Sequence, residues 1–293
     1  MSASEARSIG WAVLAAALYA LNAPLSKLLL QDIGPTMMAS LLYLGAGAGM
    51  LLLGLARRGL GQTHAEQRLT RRDLPYTVGM VLLDIAAPIL LMTGLARTAP
   101  ANASLLNNFE IVATSLIALA VFHEKISRRL WLAIGLITLS SMILSFEDAS
   151  SLHFSAGSLF VLSACVCWGF ENNCTRMMSQ SDPLEIVVIK GFGSGLGSLA
   201  IALAAGEPLP PLHSLPAALL LGFVAYGLSI FFYVHAQRRL GAAKTSAYYA
   251  VAPFIGAGLS LLIFHELPGP AFLAALAIMA AGAYLAADGA GTS

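Results

Sequence analysis

Charge is what this chain has least of. Of its 293 residues, 11% are Asp, Glu, Lys or Arg, against about 25% in a soluble protein. A water-soluble particle of this size cannot cover its surface with so few charges. Disorder is excluded as well, because disordered chains are charged and poor in apolar residues. The net charge is +1, without the concentrated basic face that binding nucleic acid requires. Cysteine is scarce: Cys165, Cys167 and Cys174 share one apolar stretch. They read as small packing residues rather than a disulfide framework or a metal site. Hydrolytic motifs are missing too. His123-Glu124 is followed by Lys125, Ile126 and Ser127 instead of completing H-E-x-x-H, and G-x-S-x-G does not occur. The run Gly191–Gly197 is no nucleotide loop, because Leu196 and Ser198 occupy the third-glycine places. The expectation is a protein that is not an enzyme and uses no cofactor or metal.

What is present is apolar. The hydrophobic fraction is 58% and there are 27 glycines; the mean hydropathy is +0.78. The alternation of a β-barrel is absent. A spanning helix needs roughly 17–25 mostly apolar residues. That rule gives ten segments: 9–30, 36–56, 74–96, 102–122, 130–146, 155–178, 184–205, 215–237, 243–264 and 270–287. The first is too long for the apolar core of a cleavable signal. With the N-terminus on one side, thirteen basic residues collect there, from Arg7 and the Arg57–Arg72 group to Lys244, and only Lys27 and Arg97 lie opposite. The positive-inside rule then places both termini in the cytoplasm.

The chain also repeats itself. Phe122-His123-Glu124 closes span four and Phe264-His265-Glu266 closes span nine, an offset of 142 that also pairs Ser104 with Ser246. Span one pairs with span six: Tyr19 with Trp168, Lys27 with Arg176, Gln31 with Gln180. Spans two and seven are both rich in glycine, and Gly45/Gly49 and Gly191/Gly195 form small-xxx-small pairs. Five spans are an odd number, so the second copy enters the membrane from the other side. The expected fold is an all-α membrane protein of ten transmembrane helices in two inverted five-helix repeats, residues 1–150 and 151–293, forming one transport domain. Such repeats characterise secondary transporters, whose site lies near the midplane between the halves.

Two five-span halves, Trp168-Gly169 in span six, short loops and a glutamate closing spans four and nine resemble the drug/metabolite transporter superfamily. The EamA-type ten-helix exporters are similar across residues 9–287, and among them the chain resembles the YddG-type aromatic amino-acid exporters. The family's span-nine proline is matched by Pro253, whose first-half counterpart is Ile111. The resemblance implies a multi-pass protein of a bacterial inner membrane. It further implies export of amino acids or similar metabolites without ATP. Two nearby intramembrane carboxylates make protons a candidate coupling ion, and a ten-span repeat that encloses its own path is expected to work as a monomer.

Ionisable groups inside a membrane mark function by default. Asp84, Glu110, Glu171 and Lys190 lie well inside spans, with Asn107, Asn108, Asn172 and Asn173 beside the two glutamates. Spans six and seven meet at the cytoplasmic side, so Glu171 and Lys190 lie at comparable depth and could pair. Asp84 and Glu110 share a second depth and could share a proton. Tyr19, Trp168, Tyr226, Tyr233, Tyr248 and Tyr249 set rings with polar tips near the middle of their spans, which suits a partly aromatic ligand. Asn22 with Pro24 could open span one, and Pro88 and Pro253 interrupt spans three and nine. The substrate-binding set expected from the sequence is therefore Tyr19, Asn22, Asp84, Asn107, Glu110, Trp168, Glu171, Asn172, Lys190, Tyr226, Tyr233, Tyr248 and Tyr249. The alternatives are a broad-specificity efflux carrier for small hydrophobic drugs and a passive channel.

The orientation is testable with single cysteines at Ala65 and Asp148 in a background free of native cysteine. A membrane-impermeant thiol reagent applied to intact cells should label position 148 and spare position 65. Labelling of 65 from outside overturns the topology.

Overall fold

Hydrocarbon offers no hydrogen-bond partners, so a spanning backbone must satisfy its own polar groups. The computed structural model of the chain meets that demand with helices. It describes residues 3–60, 67–122, 126–146, 155–178 and 180–289, and among these there are helices and isolated bridging such as Gln67 to Ser181, but no strand. The first-half motif Phe122-His123-Glu124 falls largely outside the described residues.

Span one is α1 (Ala3–Ala20) and α2 (Asn22–Leu29), separated by the single residue Leu21. Pro24 lacks an N–H, which leaves the Ala20 carbonyl without its i+4 donor. Spans two and three are α3 (Pro35–Gly59) and α4 (Leu74–Arg97). The latter continues through Pro88 as one helix, so that proline does not break span three as expected. Span four is divided into α5 (Pro100–Leu106) and α6 (Phe109–Phe122). Span five is α7 (Arg128–Ser145), span six α8 (Ala156–Met177) and span seven α9 (Pro183–Ala204). Then come α10 (Leu215–Gly222), a π-helical turn at Phe223–Leu228, α11 (Ser229–Tyr249), α12 (Ala252–Phe264) and α13 (Pro270–Gly289).

Among the described residues, seven helical stretches are long and apolar enough to cross a membrane. The other three crossings are α8, α13 and the helical end of α11 with α12. A straight helix would separate residues 233 and 249 by about 24 Å. Their rings are 5.0 Å apart, so the chain turns back between them.

The helix ends are satisfied locally. Prolines open α3, α5, α9 and α13, where a missing N–H costs nothing. Ser127 and Asp182 cap α7 and α9 through their side chains. Two caps come from far along the chain. Glu207 accepts from the amides of Thr36 (3.1 Å) and Met37 (2.7 Å) at the start of α3. The Lys27 ammonium donates to the carbonyls of Leu95 (2.6 Å), Ala96 (3.2 Å) and Thr98 (3.0 Å) at the end of α4. Each charge sits at the helix end whose dipole it complements.

The two halves pack as the repeat requires. Span two packs on span seven, four on nine and five on ten, while one packs on eight and three on six. Exchanging the halves maps the first three pairings onto themselves and swaps the last two. The chain is thus an all-α membrane protein of two inverted five-helix repeats. One buried core joins both halves, including Met38, Leu42, Leu91, Leu106, Val161 and Ala257. Spans five and ten pack on each other within that core, tied by Ser140 Oγ donating to the Ala275 carbonyl at 2.6 Å.

Glycine sets the closest crossings. A Cβ on Gly157 would lie 2.9 Å from the Gly94 carbonyl oxygen and 3.0 Å from the Arg97 carbonyl carbon. A Cβ on Gly191 would run into the backbone of Gly47 and lie 2.8 Å from the Tyr43 carbonyl oxygen. Gly157→Val should therefore lower the melting temperature in detergent by several degrees, as expected for overpacking worth about 1–3 kcal/mol. Gly258→Ala, with nothing within 4 Å, should leave it unchanged or slightly raised. Equal effects of the two would remove the close-packing argument.

Candidate functional site

The Gly47–Gly191 contact lets α3 and α9 touch along their backbones. It thereby sets Tyr43 of α3 beside Lys190 of α9. Lys190 is buried, and its ammonium lies 3.0 Å from Asp84 Oδ2 on α4 and 2.9 Å from Glu171 Oε1 on α8. Asp84 is fully buried, and its Oδ1 accepts from the Tyr43 hydroxyl at 2.8 Å and from Trp168 Nε1 at 3.2 Å. Glu171 also accepts from the Thr175 hydroxyl one turn on. Two carboxylates hold one ammonium, and neutral donors reach one oxygen of each: Tyr43 and Trp168 at Asp84, Thr175 at Glu171. An ammonium has three N–H donors, so Lys190 keeps one beyond this pair of contacts.

A second carboxylate environment lies nearby. Glu110 stands in the first turn of α6, where a helix N-terminus favours negative charge. Its Oε1 accepts from Asn172 Nδ2 at 2.6 Å, and the same amide donates to Thr114 Oγ1 at 3.3 Å. The expected Asp84–Glu110 pairing is not what the structure shows: Asp84 is engaged by Lys190, Tyr43 and Trp168, and Glu110 by Asn172. Equal depth fixes height in the bilayer but not the helix face. The Glu171–Lys190 pairing is found.

Rings fill the space beside the charges. Tyr226 packs on Tyr43 (5.1 Å between centroids) and edge-on to Tyr19 (5.8 Å); Tyr19 reaches Tyr249 (5.9 Å), which meets Tyr233 (5.0 Å). The π-helical turn carries Tyr226. Asn22, at the start of α2, donates to the Tyr226 hydroxyl at 3.0 Å and accepts from Ser26 at 2.9 Å. An unbroken path of contacts thus runs from Lys190 through Asp84, Tyr43 and Tyr226 to Asn22. Tyr248 is left out, 37% exposed, because consecutive helical residues point about 100° apart.

The breaks in spans four and nine fall at matching places in the repeat. The first is at Asn107–Asn108 and the second at Ala250–Val251. In the first, Glu110 N and Ile111 N bond back only three residues, to Asn107 O (3.1 Å) and Asn108 O (3.0 Å). In the second, Phe254 N and Ile255 N both donate to Val251 O at 3.1 Å. Span four breaks although Ile111 stands where span nine has Pro253. Between the breaks lies a cavity of about 10 Å³, lined by Tyr19, Ala20, Asn22, Ser104, Asn107, Pro253 and Gly256 among others.

Tyr43, Ser104, Thr114 and Ser229 are the polar side chains missed from sequence. Tyr43 sits in a span whose glycines advertise packing. The small hydroxyls carry no signal that separates a site from a helix back-bond.

A family model for EamA-like transporters matches two stretches of the chain, residues 6–146 and 155–287. A protein of Methanothermobacter thermautotrophicus named as an uncharacterized transporter is 26% identical over 268 residues, 85% of this chain and 76% of its own length. The uncharacterized transporter YyaM of Bacillus subtilis is 20% identical over 220 residues, 72% of this chain and 70% of its own. A solved crystal structure superposes with a TM-score of 0.69 over 96% of this chain and 95% of its own at 18% identity, a likeness of fold alone.

Removing one member of a buried ion pair costs about 3–5 kcal/mol, and replacing the whole set by neutral groups costs far less. Lys190→Met should therefore lower the melting temperature sharply. Adding Asp84→Asn and Glu171→Gln to it should restore part of the loss. A Lys190→Met protein as stable as the unmodified chain would show that the ion pairs in the structure are not formed in the membrane.

Proposed function

We propose that this chain, which belongs to the EamA-like transporter family, exports neutral amino acids with aromatic or apolar side chains across a bacterial inner membrane. Transport proceeds by alternating access, with both termini in the cytoplasm and residues 1–150 and 151–293 rocking against each other as a monomer. The observation that carries this reading is the adjacency of a buried ammonium, surplus carboxylates and a cluster of tyrosines. A zwitterion entering a low-dielectric cavity needs both charges matched. The third donor of Lys190 meets the substrate carboxylate, and Glu110, held by one neutral amide, meets its ammonium. Tyr19, Tyr226 and Tyr249 cover the side chain, while Asn22, Asn107 and Asn172 supply neutral donors and acceptors. Trp168 and Tyr43 hold Asp84 and so position Lys190.

Reconstituted liposomes loaded with labelled phenylalanine test this. Unlabelled phenylalanine and tryptophan should compete for transport and lipophilic cations should not. Ring contacts are worth about 0.5–1.5 kcal/mol beyond burial. Tyr19→Ala should therefore weaken aromatic substrates about two- to tenfold more than leucine. Competition by lipophilic cations alone points instead to a broad hydrophobic efflux carrier. Flux that does not saturate points to a channel.

A further inference from the structure

We propose that the apolar groove between spans two and eight binds an anionic phospholipid, with one acyl chain along the groove and the phosphate on Arg57 and Arg58. The two helices run in the same direction and keep register. A Cβ on Gly45 would run into the backbone of Leu219, and one on Gly49 into the Phe223 ring. Eight residues further along both helices, at 57 and 231, the Arg57 guanidinium lies over the Phe231 ring, 4.8 Å from its centroid. Gly45, Ala48 and Gly49 make a floor of small residues, and Leu52, Leu220 and Phe223 stand along it. The groove encloses about 490 Å³, within the range of ligand sites, about 300–1,000 Å³. It opens outward, since Leu52 is 66% and Leu220 61% exposed.

Length selects a lipid chain. The groove follows α3 from Gly45, the eleventh of its 25 residues, to Ala56, which is about 17 Å of helix. One leaflet of the hydrocarbon core is about 15 Å thick. The groove therefore starts near the middle of the bilayer and ends at the level of the headgroups. A second helix fits it less well. The glycines that would admit another backbone are already filled by Leu219 and Phe223 of span eight.

Charge selects the headgroup. α3 ends in Arg57 and Arg58. A helix C-terminus carries about half a negative charge, so two cations exceed what it needs. Among the described residues no ion pair reaches either arginine. Arg57 is held at the end of the groove by Phe231, and Arg58 is exposed. Guanidinium groups without a carboxylate, set at headgroup level, favour the phosphate of a lipid with net negative charge over a zwitterionic one. In the orientation proposed above, this end meets the cytoplasmic leaflet. Phe223 also opens the π-helical turn that carries Tyr226, so the groove backs onto the element that holds the ring cluster. This site goes beyond the amino-acid reading, and lipid binding does not depend on it.

The test is thermal unfolding of the purified full chain in detergent, titrated with dioleoylphosphatidylglycerol, dioleoylphosphatidylcholine or glycerol 3-phosphate at constant ionic strength and without substrate. Phosphatidylglycerol should raise the melting temperature saturably. Phosphatidylcholine should need at least tenfold more, and glycerol 3-phosphate should have no effect. Arg57→Gln with Arg58→Gln should bring the phosphatidylglycerol midpoint to that of phosphatidylcholine. Ala48 is exposed on the lipid side, so Ala48→Phe should fold normally and raise the midpoints of both lipids at least tenfold. Arg71→Gln with Arg72→Gln, a basic pair away from the groove, should leave them unchanged. Equal midpoints for the two lipids overturn the choice of an anionic headgroup. The same shift with glycerol 3-phosphate overturns the acyl chain. Midpoints that ignore the Arg57, Arg58 and Ala48 changes, or respond equally to the Arg71 and Arg72 changes, overturn the location. A dimer by light scattering that Ala48→Phe converts to a monomer gives the groove to a second copy and overturns the lipid reading. Failure to transport amino acids alters none of these readouts, because no substrate is present.

Discussion

A charged group in hydrocarbon needs a partner of opposite sign, and the centre of this protein is organised around that need. Lys190 lies between Asp84 and Glu171, which come from different helices in different halves of the chain. One ammonium therefore ties α9 to α4 and α8 at once. Tyr43 and Trp168 are drawn in because Asp84 has lone pairs to satisfy, and Tyr226 follows by packing on Tyr43. Loss of the ammonium would leave two carboxylates facing each other without water, which explains why the neutral donors around them are so closely fitted. The arrangement is also an electrostatic link between the halves. Any movement that separates α4 from α9 must first find another partner for each charge.

Close approach makes this geometry possible. Helices in lipid gain nothing from hiding apolar side chains from other apolar matter, so they associate through contact at short range and through polar bonds. The glycine contacts at Gly47–Gly191 and Gly94–Gly157 bring backbones together and leave the long polar side chains beside them able to span the remaining gap. Beside them the tyrosines pack ring on ring.

The span count, the repeat and the inventory of buried charges were legible because each is a one-dimensional signal: hydropathy, order, and ionisable residues within apolar runs. Glu171 and Lys190 could be paired because spans six and seven share a short turn, which ties their depths. The partner of Asp84 could not be found that way, since depth does not reveal rotation about the helix axis. The same ignorance of rotation placed Tyr248 beside Tyr249, when only the latter turns inward. The break in span four was hidden because proline was the expected cue. Two consecutive asparagines, Asn107 and Asn108, stand at the break instead. The continuity of α4 through Pro88 is the converse case.

The π-helical turn at Phe223–Leu228 has a consequence for how span eight can vary. Such a turn takes up about one residue more than an α-helix of the same length. The faces before and after it are out of phase: Leu219 in α10 meets Gly45 of α3, while Ser229 beyond the turn reaches the Ala15 carbonyl of α1. A single-residue deletion here would close the π turn into ordinary α-helix and leave the faces on either side where they are. A deletion in the regular helix of α10 that kept the turn would instead rotate every following side chain by about 100°, parting Ser229 from the Ala15 carbonyl and Phe232 from the Trp11 ring together. Span eight thus carries one spare residue at a single place, like cloth with one pleat let into it.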